Sequence, residues 1–82
     1  MSAYTVFVNK IKRIIKQALP GQTDIRVEKV SGDRPYLIVI SDAFQGQTLK
    51  ERQDMVRRPL EQELGAEITQ ISLIETYAPG EA

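Results

Sequence analysis

Apolar residues recur at Phe7, Ile11, Ile14, Ile15, Ala18 and Leu19, while Lys10, Lys12, Arg13 and Lys16 fall between them. Spacings of three and four place the first set on one face, so 4–19 is predicted to form an amphipathic helix. Pro20-Gly21 ends it, because proline cannot continue the helical hydrogen bonding and glycine readily takes the left-handed conformation after a helix end. Over 23–30 the period changes to two, with Ile25 and Val27 alternating against Arg26 and Glu28 as in a half-buried strand. Ser31-Gly32-Asp33-Arg34-Pro35 reads as a turn. The continuous run Tyr36-Leu37-Ile38-Val39-Ile40 predicts a central strand buried on both faces, paired with the first strand as a hairpin.

The second half opens on the turn-rich segment Ser41-Asp42-Ala43-Phe44-Gln45-Gly46. Thr48, with Glu51 three residues on, matches a capping box at a helix start. Leu49, Val56, Leu60 and Leu64 then keep a helical spacing as far as Gly65. Pro59 lies inside that helix and is expected to kink or split it. A third strand is predicted over 68–75, with Thr69, Ile71 and Leu73 on one face and Gln70, Ser72 and Ile74 on the other. Residues 79–82 read as a flexible tail, leaving 1–78 as one domain. The order is helix, strand, strand, helix or broken helix, strand. It specifies an α+β class: a three-stranded mixed sheet with helices on one face, whose third strand returns parallel to the second through a right-handed crossover.

Composition narrows the function. A chain of 82 residues has room for one modest core and no deep catalytic cavity. No apolar run approaches the roughly 20 residues that span a bilayer, so no membrane association is expected. The first residues lack the pattern of a secretory signal, and a cytoplasmic setting is the default. The chain has neither cysteine nor histidine, which excludes disulfides, thiolate nucleophiles and imidazole bases or ligands. Ser31, Ser41 and Ser72 have no histidine to activate them, and no phosphate-binding loop, dinucleotide fingerprint or zinc spacing is present. The expectation is a non-enzyme with no cofactor and no metal. The net charge of zero divides into +4 over 1–22 and −4 over 23–82, a basic first helix on an acidic body.

Several segments together resemble the BolA-like family, whose members share the class II KH-like fold. They are Leu19-Pro20 at the end of the first helix, Ser41 to Gly46 (SDAFQG), Arg52 followed by Val56, Glu63-Leu64, and the closing ISLIETYAP from Ile71 to Pro79. The departures from the family pattern are as informative. Where members carry Arg-His in the middle helix this chain has Arg52-Gln53, where they open the last strand with Ile-His it has Ile68-Thr69, and Arg34-Pro35-Tyr36 offers no histidine either. The resemblance implies a protein-docking face around Phe44, Gly46, Arg52, Thr69 and Ile71, with a monothiol glutaredoxin as the implied partner. In the family a last-strand histidine helps hold a shared [2Fe-2S] cluster, and Thr69 is a poor substitute because such iron takes thiolate or imidazole. The alternative is nucleic-acid binding. KH domains clamp a backbone with a GxxG loop, and the matching place reads Gly46-Gln47-Thr48-Leu49, without the second glycine. Lys50, Arg52, Arg57 and Arg58 would be its basic partners, although Glu51 and Asp54 interleave with them.

Overall fold

The computed structural model describes residues 2–32 and 34–81, with the side chains of residues 30 and 31 excepted. Helix α1 spans Ala3–Ala18, strand β1 Thr23–Ser31, strand β2 Arg34–Ser41, helix α2 Leu49–Leu64 and strand β3 Leu73–Tyr77. Short 3-10 turns fill Asp42–Phe44 and Gly65–Gln70. The Ser2 hydroxyl opens α1 by accepting the Thr5 amide at 3.1 Å. The helix buries Phe7, Val8, Ile11, Ile14 and Ile15, the stripe that the spacing predicts. At α2 both halves of the capping box form: the Thr48 hydroxyl accepts the Glu51 amide at 3.1 Å, and the Glu51 carboxylate accepts the Thr48 amide at 2.8 Å.

The sheet has the order β1-β2-β3, antiparallel between β1 and β2 and parallel between β2 and β3. Its core face carries Ile25, Leu37, Val39 and Ile74, which pack with Ile11 and Ile15 of α1, Val56 and Leu60 of α2, and Phe44. Fully burying side chains of this size contributes about 1.5–3 kcal/mol each. The hairpin turn is tighter than the five residues expected, because Ser31 already pairs with Arg34. Asp33, in that turn, lies outside the described residues.

Three expectations are corrected. The central strand is buried on one face only: Pro35, Leu37, Val39 and Ser41 are buried while Tyr36, Ile38 and Ile40 are half-exposed. Among the described residues no helix covers the second face, so an apolar run need not mean burial on both sides. Pro59 does not split α2, which runs unbroken from Leu49 to Leu64. The third strand begins at Leu73 rather than at Ile68. After Gly65, whose φ is 56°, the chain tightens into 3-10 turns: the Thr69 hydroxyl donates to the Ala66 carbonyl at 2.9 Å, and the Ile71 amide to Ile68 at 3.1 Å. The Ile68 to Ile71 spacing of three fits a 3-10 period better than a pleat. The predicted faces change with it, since Ile71 and Ile74 are both buried and Leu73 is 47% exposed.

The chain does not leave the body cleanly after β3. Ala78 is fully buried, and its amide donates to Glu81 Oε1 at 2.9 Å.

Candidate functional site

The anticipated docking residues do not converge. Phe44 is fully buried and Ile71 nearly so, because both fill the space between sheet and helices, so neither side chain is presented at the surface as a docking face would need. Gly46 and Arg52 stand at the start of α2, Thr69 beyond its end.

At the first place, Gly46 is exposed with φ of 74°, a left-handed conformation that glycine supplies without steric cost. Arg52, whose side chain is 14% exposed, donates through Nε to the Gln47 carbonyl at 3.0 Å. Its two terminal nitrogens grip the Glu81 carboxylate at 2.6 and 3.1 Å. This forked geometry is the strong form of an arginine–carboxylate pair. The hydrogen bond from Arg52, followed by that from the Ala78 amide, holds the Glu81 carboxyl below its usual range, and Glu81 in turn raises the guanidinium. Beside this clasp Leu49 is 69% exposed. It lines a groove of about 290 Å³ with Gln53 and the β3 residues Leu73 to Tyr77. Gln53 donates its amide to the Ile74 carbonyl at 2.9 Å, tying α2 to β3 at the position where the family pattern has histidine.

At the second place, Thr69 is exposed but its polar atoms are committed. Its hydroxyl closes on Ala66, and its carbonyl accepts Arg34 Nη2 at 3.3 Å. A neutral hydroxyl donated to a backbone carbonyl is not a ligand for a [2Fe-2S] cluster, and no thiolate or imidazole stands nearby to replace it. Among the described residues, no three side chains of metal-ligating type gather elsewhere. The chain's residues do not fit the cluster.

The basic residues proposed for nucleic acid sit on or beside α2, but most face a carboxylate of the chain itself. Lys50 pairs with Asp54 at 3.2 Å, Arg58 approaches the same carboxylate at 4.0 Å, and Arg52 is held by Glu81. Arg57 donates to Gln53 at 3.3 Å. The Gly46-Gln47-Thr48 loop lies between a 3-10 turn and α2, with its Thr48 hydroxyl and amide consumed in the capping box. Sequence reasoning missed Glu81, Leu49 and Leu73. The first pairs across 29 positions, so no local pattern announces it, and Leu49 is exposed at a position where helical spacing predicts core.

Among the described residues, no helix is long and apolar enough to cross a membrane. No protein-family model matches the sequence, and no curated protein matches it significantly. Solved structures do. The BolA domain of SufE1 from Arabidopsis thaliana is 26% identical with a TM-score of 0.67, over 90% of this chain and 93% of that one. BolA1 from Arabidopsis thaliana is 18% identical with a TM-score of 0.67, over 100% and 99% of the two chains. A bol-like protein from Babesia bovis is 23% identical with a TM-score of 0.62, over 99% and 90%. The latter two speak for the fold; the first adds sequence likeness to it. With the same α+β order and the SDAFQG and ISLIETYAP segments in their places, the chain has the fold of BolA-domain structures and is similar in sequence to the first of them.

Proposed function

We propose that this chain is a non-enzymatic BolA-like binding module that regulates, in the cytoplasm, by docking a protein partner, and that it does so without sharing a [2Fe-2S] cluster through Thr69. A monothiol glutaredoxin is the partner proposed. The observation that carries the reading is the exposed Leu49 at the mouth of the β3 groove, beside the Gly46 loop. An apolar side chain two-thirds exposed next to an edge strand suits a protein surface better than a small substrate. The docking face therefore centres on Gly46, Leu49 and Arg52, with Thr69 outside it.

The test is an amide-resolved NMR titration with a monothiol glutaredoxin, apo and cluster-loaded. The proposal expects the same localised shifts at Gly46, Leu49 and Arg52 in both forms and none at Thr69. Shifts confined to the cluster-loaded form, centred on Thr69, would contradict the loss of cluster sharing. Silence in both forms would end the glutaredoxin reading.

A further inference from the structure

The face of the sheet turned away from the helices carries an apolar stretch on its central strand, flanked by the charged Asp24, Arg26 and Glu28 of β1. Along β2 it presents Tyr36, Ile38 and Ile40, and along β3 Leu73, Glu75 and Tyr77. An antiparallel or mixed sheet with one solvated face ordinarily alternates apolar with polar residues, and here the outward positions of the central strand break that rule. At the centre of the patch Glu75 accepts the Tyr77 hydroxyl at 3.2 Å and the Tyr36 hydroxyl as well. A carboxylate set among aliphatic side chains is a specific polar anchor for an opposite charge.

The cross-strand register supplies that charge. Arg26 of β1 lies beside Ile38, and Ile38 lies beside Glu75, so one row across the sheet reads Arg26, Ile38, Glu75. Arg26 is 66% exposed and only loosely placed near Asp24, at 3.9 Å. An exposed pair at that distance contributes little and is readily exchanged.

We propose that this face associates with the same face of a second copy of the chain, about a two-fold axis running nearly along β2. That axis lays β1 of each copy over β3 of the other. Arg26 then meets Glu75 of the second copy, Glu75 meets its Arg26, and the two Ile38 side chains pack between them. The other in-plane axis, along the row, would set Arg26 against Arg26 and Glu75 against Glu75, so charge selects the first. An axis tilted slightly from β2 produces the roughly 30° angle at which twisted sheets pack, and the spacing of about 10 Å between such sheets is spanned by an arginine reaching a glutamate. A nucleic acid is disfavoured on this face, because Asp24, Glu28 and Glu75 outnumber Arg26. Three strands about 4.8 Å apart form a small contact, at the low end of specific interfaces, so association is weak and reversible. The proposal does not depend on the docking reading at Leu49.

Sedimentation velocity of the full chain at low salt, from about 10 µM to about 1 mM, tests it over the range expected for so small a contact. The wild type should pass from monomer to dimer with concentration. Arg26→Glu and Glu75→Arg should each weaken dimerisation at least about tenfold, the cost of about 1.4 kcal/mol, and the double variant should restore it. Circular dichroism confirms that each variant is folded, and Arg26→Glu, at an exposed position, keeps the test informative if Glu75→Arg is not. A wild type monomeric throughout, or a dimer indifferent to the charge reversals, would overturn the proposal.

Discussion

The Thr76 hydroxyl is buried against the core face of β3 and has no hydrogen-bond partner. An unsatisfied buried hydroxyl costs roughly 1–3 kcal/mol, and replacing it with a methyl of the same shape removes that cost. Thr76→Val is accordingly expected to be neutral or stabilising by about 1 kcal/mol, read as a higher urea midpoint with an unchanged slope. Tyr36 gives a second residue-scale outcome. Its hydrogen bond to Glu75, aided by desolvation and the Glu75 charge, pushes its phenol up to about 12. A group whose folded pKa is raised contributes stability that is complete below the unfolded value of about 10 and is lost as pH rises through the folded one. Ultraviolet titration should show one tyrosine ionising near 12, and Glu75→Gln should bring it down.

The elements depend on local signals of uneven strength. The capping box at Thr48 and Glu51 satisfies two amides that α2 would otherwise leave open, and Thr48→Ala is expected to cost about 1 kcal/mol in denaturant unfolding. Pro59 works in the opposite direction, removing the bond that would reach the Met55 carbonyl. The helix nevertheless continues, because Val56, Leu60 and Leu64 on its inner face are held in the core. Pro59→Ala should therefore stabilise the domain, by up to about 3 kcal/mol, in the same measurement. Over 65–70 local preference was ambiguous: isoleucines three apart serve a 3-10 turn as well as they suggest a strand, and only the hydrogen bonds to Ala66 and Ile68 decide between them.

On the scale of the whole molecule, the clasp between Arg52 and Glu81 joins the start of α2 to the segment after β3, across 29 positions. Glu51, through its hydrogen bonds from Thr48, and Glu81, through those from Arg52 and Ala78, both have carboxyls lowered from an ordinary value of 4.5. Their contribution is therefore complete above that value and is lost as pH falls through the lower folded pKa. Thermal unfolding followed by circular dichroism should show stability falling below about pH 4.5, and Glu81→Gln should flatten that fall. The clasp also bears on function. It occupies the one α2 arginine beside the Gly46 loop, which leaves Leu49 and the β3 groove as the accessible features there.

The element order, the helix faces, the capping box and the core position of Phe7 were legible in the sequence, because they follow from periodicity and from short-range hydrogen bonding. The likeness to BolA-like proteins was legible for the same reason, in segments that retain their order. Which faces of those elements are covered was not. Ile38 and Leu37 are both apolar neighbours in one run, yet one faces the helices and the other the open side, and only the placement of both helices on a single face distinguishes them. Residue identity likewise told that Phe44, Gly46, Arg52, Thr69 and Ile71 belong to the family's segments, but not that two are buried, two stand at one end of α2 and one beyond the other. Burial and long-range pairing are properties of chain segments brought together from distant positions, and those the tertiary structure alone decides.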